Sequence, residues 1–181
     1  MKKIASDSSY SSVANWRFQK TLKFLQKWTN GNESTLDLGP TNPLSELMLQ
    51  NGYSIKNTPE GTDLDFDFEI VKNDDYEMLT AFEILEHLVS PFPLLYHSKA
   101  KKLVASIPLK LWFADAYWSE SDPYDRHYHE FEPRQFDMLL EKAGWEIKAS
   151  EQWKSITNKI GFRPILRRFT PRYYIVYCER K

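Results

Sequence analysis

Between Ser34 and Asn57 the chain runs strand, glycine turn, helix, strand, and this order constrains its fold more than any other feature. Ser34 to Leu38 reads as a short strand that stops at Gly39. Pro43 leads into a helix over Leu44 to Asn51, with Leu44, Leu47 and Met48 facing inward and Gly52 as its stop. Tyr53 to Asn57 reads as a second strand. Two strands joined through such a helix run parallel, with a right-handed crossover.

The alternation continues. Ahead of the first strand, Val13 to Trp28 is helical, with Phe18, Leu22 and Leu25 on one face and Asn30-Gly31-Asn32 ending it. Thr58 to Asp75, Asp-rich and holding Pro59 and Gly61, gives no clear helix. Tyr76 to Ala81 is a buried-type strand, followed by a helix around Ile84 to Val89 and another from Pro91 to about Ser98. Lys102 to Ile107 is a strand and Pro133 to Ala143 an amphipathic helix stopped by Gly144. Trp145 to Ala149 and Tyr173 to Cys178 are the last two strands, with no clear full-length helix between them. The expected architecture is α/β: a three-layer αβα sandwich whose mostly parallel sheet has an antiparallel last strand. A chain of 181 residues fits one such domain, here 1–181 with an N-terminal helix.

Charge excludes some partners. The 24 Lys and Arg balance 25 Asp and Glu, so no global field points to nucleic acid or to an anionic membrane. A basic run at Arg163, Arg167, Arg168 and Arg172 comes without any nucleic-acid module and reads as a solvated face. Cys178 is the single cysteine, which rules out an internal disulfide or a cysteine-based zinc site and suggests an inert buried thiol. The polar, serine-rich start at Met1 to Ser12 lacks a signal-peptide core, and no apolar run is long enough to span a bilayer. A cytoplasmic protein is expected; its oligomeric state is not readable.

Two segments carry chemistry. A strand ending at Gly39 before a helix brings backbone amides to a crevice at the carboxyl edge of the sheet, and Asp37 stands at its rim. Further on, the strand of Tyr76 to Ala81 leads into Phe82-Glu83-Ile84-Leu85-Glu86-His87-Leu88. In this order the two resemble the first and fourth motifs of class I S-adenosylmethionine-dependent methyltransferases, which have a Rossmann-like fold. Ser106-Ile107-Pro108, His129-Glu130-Phe131 and Ala143-Gly144-Trp145 are similar to the family's later motifs.

The resemblance implies S-adenosylmethionine as cofactor, held by Asp37, Gly39, Pro40, Thr41, Asn57, Phe82, Glu83 and His87. Glu83 and His87 would stand one helical turn apart, and Glu86 reads as part of an ordinary charged helix face. The family's further glycines are replaced here by Thr41 and Pro43. This disfavours a dinucleotide, whose pyrophosphate needs close backbone approach, over a cofactor without phosphate. The acid that normally ends the second strand to bind ribose is also missing, since that strand ends Lys56-Asn57-Thr58. Asp63 and Asp65 are the available substitutes, and such a pair could equally bind a metal or be solvated.

Trp112 to Phe131 is dense in aromatic residues and occupies the position where the family builds its acceptor pocket; an aromatic flap on the sheet edge is the other reading. Within it His127 and His129 are candidate catalytic bases. With Asp122 or Asp125 they lack a defined third ligand, so no metal is expected. The expected function is methyl transfer to a small-molecule or glycan acceptor, at oxygen. The alternatives are a catalytically degenerate cofactor-binding domain and a nicotinamide-dependent oxidoreductase.

Overall fold

The computed structural model describes residues 12–122, 124–155 and 162–181, the last without the side chains of 162–165. The opening residues 1–11 lie outside it, as does the side chain of Arg163 in the basic run. Six strands form one sheet: β1 (Ser34–Asp37), β2 (Ser54–Asn57), β3 (Met78–Phe82), β4 (Lys102–Pro108), β5 (Trp145–Lys154) and β6 (Pro171–Arg180), in the order β2-β1-β3-β4-β6-β5. The first four pair in parallel. β6 runs antiparallel to both β4 and β5, so it is the one reversed strand. The expected three-layer, mostly parallel architecture with an antiparallel last strand is the one found.

Helices cover both faces. On one, α1 (Ser12–Trp28) and α2 (Pro43–Gln50) bury Phe18, Leu22, Leu25, Leu44 and Met48 against Met78, Val104, Ile175 and Tyr177. On the other, α3 (Pro91–His97) and α4 (Pro133–Lys142) bury Leu94, Leu95, Phe136 and Leu140 against Leu79, Leu103, Ala105 and Val176. Alternate residues of β3 and β4 thus feed opposite cores, the period-two pattern of a strand covered on both sides. A further helix, α5 (Phe162–Phe169), joins β5 to β6.

Local chemistry sets the ends of α2. Asn42 caps it, its side-chain oxygen accepting from the amides of Leu44 and Ser45, while Pro43 fills the first position, where no amide is needed. Residues 58–75 add only a 3-10 turn at Glu69–Lys72, so among the described residues no strand lies outside β2. The trimming expected between the second strand and Tyr76 is present.

Two expectations need correction. The helix expected around Ile84 to Val89 is a single 3-10 turn, Leu85–His87. Its cause is Glu83, the one non-glycine among the described residues with positive φ, at 56°. A left-handed residue cannot continue a right-handed helix, so the chain changes direction there. The second concerns β5, which runs on past Ala149 to Lys154. Only one of its faces is buried, and the polar Ser150-Glu151-Gln152 run hides that alternation.

Candidate active site

In the sheet β1 and β3 are neighbours, but the connection from β1 leads outward to β2 while that from β3 leads the other way to β4. That divergence opens a crevice at the strands' carboxyl ends, where ligands bind in open α/β sheets. Here it is a cleft of about 200 Å³, lined by Asp37, Leu38, Phe82, Glu83 and Ser106 from the sheet side, with Arg17, Phe18 and Thr21 of α1 and Asn42 and Leu44 of the α2 start closing it.

Asp37 sits at the centre of a cross-strand network. Its register partners are Asn57 in β2 and Thr80 in β3. The Thr80 hydroxyl donates to one carboxylate oxygen at 2.6 Å and Asn57 Nδ2 to the other at 3.0 Å. Burial pushes the Asp37 carboxyl up to about 7, against the pull of those two donors.

The Gly39 turn is held from within. Its amide donates to Thr58 Oγ1 at 2.7 Å and its carbonyl accepts from Asn57 Nδ2 at 3.2 Å. Neither group is offered to a ligand, contrary to the sequence expectation of a free amide at this turn. With Leu44 and Ser45 capped by Asn42, the turn is a poor phosphate cradle, in line with a cofactor that carries no phosphate. Gly39 is needed for another reason: its φ is 98°, and a Cβ would lie 3.1 Å from Ile84 Cδ1.

Across the cleft, Glu83 Oε2 lies 2.7 Å from Arg17 Nη1, and its Oε1 accepts from Ser106 Oγ at 3.1 Å. The pair is partly buried, with 26% and 14% of the Arg17 and Glu83 side chains exposed. It places a fixed cation and a fixed anion side by side in the cleft wall. Arg17 is not among the residues that the sequence singles out. A lone arginine on an amphipathic helix gives no sequence signal, and only the return of α1 over the sheet edge brings it here.

The remaining candidates separate. Phe82 and Glu83 line the cleft with Asp37, and Asn57 supports it from behind. Pro40 and Thr41 are exposed at its rim. Asp65 is engaged elsewhere: its carboxylate accepts from the amides of Val89 and Ser90, ahead of α3. Asp63 is exposed, with its side chain bonded to the Asp65 amide. His87 is not on the Glu83 face, because the left-handed Glu83 breaks the helical relation between them.

His87 instead meets the aromatic loop. Its ring contacts that of His127 edge-on, with centroids 4.9 Å apart, and its Nδ1 donates to the Arg126 carbonyl at 3.1 Å. His127 Nδ1 donates to Glu130 Oε1 at 3.0 Å. The loop is docked by backbone bonds: the amides of Tyr128 and His129 both donate to the Glu86 carbonyl. His129 stacks on Phe131, and its Nε2 donates to the Val89 carbonyl at 3.1 Å. Glu86, expected on a solvated face, is 1% exposed. Burial, then the charge of Glu83, pushes its carboxyl well above the usual range. Burial and the neighbouring His127 hold His87 below the usual histidine value.

No protein-family model matches the chain, and no curated protein matches it in sequence. Solved structures match over nearly its whole length. An S-adenosylmethionine-dependent methyltransferase from Mesorhizobium loti is similar at 15% identity and a TM-score of 0.64, covering 93% of this chain and 99% of that one. The magnesium protoporphyrin IX methyltransferase of Synechocystis PCC 6803, solved with bound S-adenosylhomocysteine, gives 12% identity and 0.62, covering 99% and 90%. The [4+2]-cyclase SpnF gives 12% identity and 0.61, covering 97% and 85%. The chain therefore has the fold of class I S-adenosylmethionine-dependent methyltransferases, a fold that also carries other chemistry. No helix among the described residues is long and apolar enough to cross a membrane.

Proposed function

We propose that this chain binds S-adenosylmethionine in the switch-point cleft and transfers its methyl group to an oxygen of a small-molecule or glycan acceptor. One observation carries the reading: the Arg17–Glu83 pair in the cleft wall is complementary to an amino-acid zwitterion. Arg17 would take the cofactor's carboxylate and Glu83 its ammonium, the pair opening as the ligand's own charges replace each partner. Asp37, Gly39, Asn57 and Phe82 shape the floor, with Pro40 and Thr41 at the rim. Asp63 and Asp65 are the acids available on the ribose side, and Asp65 would have to leave the Val89 and Ser90 amides to serve.

Methyl transfer from a sulfonium is an in-line displacement, so the protein's work is alignment and exclusion of water. The aromatic loop would supply the acceptor wall, with His127 and His129 as the groups that receive an acceptor proton. A cytoplasmic setting fits the composition.

Isothermal titration with S-adenosylhomocysteine tests the reading. Micromolar binding accompanied by a thermal upshift is expected; no heat and no shift at millimolar ligand would overturn it. A second reading, a cofactor-binding domain without methyl transfer, is favoured by the missing ribose acid and by the cyclase of the same fold. It predicts binding without turnover against any acceptor.

A further inference from the structure

Glu86, His87 and His127 come together from two separate parts of the chain, and each offers a ligand atom within 4.8 Å of the other two. It is the one such group of His, Cys, Asp and Glu among the described residues. From sequence alone, His127 and His129 with Asp122 or Asp125 lack a defined third ligand. Asp125 is engaged with the Tyr117 hydroxyl at 2.8 Å, and the carboxylate that closes the set is Glu86.

The groups behind the two imidazole rings are already in place. The Arg126 carbonyl fixes the proton of His87 on Nδ1, which leaves the lone pair on Nε2, 3.8 Å from Glu86 Oε1. The Glu130 carboxylate does the same for His127, and it also holds the Tyr117 amide at 3.2 Å. A carbonyl or carboxylate behind the far ring nitrogen is how metal-ligating histidines are oriented. Glu86 Oε2, meanwhile, is buried and makes no hydrogen bond. A buried carboxyl with an unpartnered oxygen is costly, and ionising it beside Glu83 more so; a cation in contact with it would offset both costs.

We infer that Glu86, His87 and His127 form a binding site for a divalent transition-metal cation. Two imidazole nitrogens and one carboxylate oxygen suit zinc, manganese or iron better than magnesium or calcium, which prefer all-oxygen shells. Three protein ligands leave further positions open to water or to a substrate oxygen. The separations exceed those across a filled coordination shell, so loading would draw the three side chains together by about 1 Å. Any catalytic use rests on the methyl-transfer reading: with the cation bound, His127 serves as ligand rather than base, and a cation-bound hydroxyl would lose its proton more readily.

The test is direct metal binding. Full-length protein stripped with a chelator is titrated with zinc and manganese ions by calorimetry, with magnesium as the comparison. One equivalent of zinc or manganese is expected to bind at least tenfold more tightly than magnesium. Glu86→Gln, which keeps the buried shape, and His127→Asn should each weaken binding at least tenfold while circular dichroism stays native. Manganese should broaden the ring-proton resonances of His87 and His127 and spare His97. Folded protein that gives no heat at millimolar metal overturns the site, as does binding unchanged in both variants. S-adenosylhomocysteine titrated into the stripped protein reads the cofactor cleft separately, so failure of one does not imply failure of the other.

Discussion

The Asp37 carboxylate and the Thr80 hydroxyl lie 2.6 Å apart on strands aligned so that the two residues are register partners. The sheet pairing itself therefore builds the floor of the cleft, and no loop motion is needed to form it. Burial in that floor, working against the bond, leaves an acid whose proton comes off only near neutral pH.

Its consequence is a stability profile. The Asp37 carboxyl is raised from an ordinary 3.8 to about 7, so the folded chain holds this proton more tightly than the unfolded chain does. Its contribution is greatest below about pH 4, is lost as pH rises toward 7, and is then flat, a span of about 4 kcal/mol. Thermal melts of wild type and Asp37→Asn between pH 5 and 8 should diverge in slope. The variant keeps an acceptor for Thr80 but loses the titration, so its midpoint should gain on wild type as pH rises. Parallel profiles would contradict the assignment.

Removing Arg17 should separate binding from folding. The Arg17–Glu83 pair is partly exposed, so Arg17→Ala is expected to cost no more than about 1 kcal/mol of stability. A hydrogen-bonded charge facing a ligand carboxylate is worth about 1.5–3 kcal/mol, so affinity for S-adenosylhomocysteine should fall roughly 10- to 100-fold. Calorimetry and melting curves on the same samples measure both quantities.

Gly39 and Gly52 form an internal control. Both have positive φ, 98° and 90°, but a Cβ at Gly52 meets nothing within 4 Å, whereas at Gly39 it meets Ile84 at 3.1 Å. Gly52→Ala should cost about 1–2 kcal/mol from backbone strain alone. Gly39→Ala should cost measurably more in denaturant unfolding and should also weaken cofactor binding, because Ile84 adjoins Glu83.

Cys178 should behave as a reporter of global opening. It is fully buried in β6, and burial pushes its thiol well above the usual range. An aromatic disulfide reagent should leave it unmodified in the native protein, and labelling should appear together with the unfolding transition. Fast native-state labelling would mean that β6 opens locally.

Much of the fold is legible because it is written in local signals. Gly39, Gly52 and Gly144 punctuate elements that the apolar spacing had already outlined. Two features of the site are not written that way. Arg17 reaches the cleft only through the packing of α1 on the sheet, a relationship across 66 residues with no local trace. Glu86 reads from sequence as a solvated residue because the apolar and charged spacing of Phe82 to Leu88 suits a helix. The left-handed Glu83 overrides that spacing and turns Glu86 into the interior, where the aromatic loop covers it.

Among the described residues the sheet ends at β2, and nothing in residues 58–75 adds a strand beyond it. Among those residues this margin is an open row of backbone donors and acceptors, a template for joining another chain edge to edge. The strand is only four residues long, and Lys56 stands exposed in its midst. Shortness and a charge blunt such a margin, so the truncation that trimmed the domain also limits how far it can zip onto a neighbour.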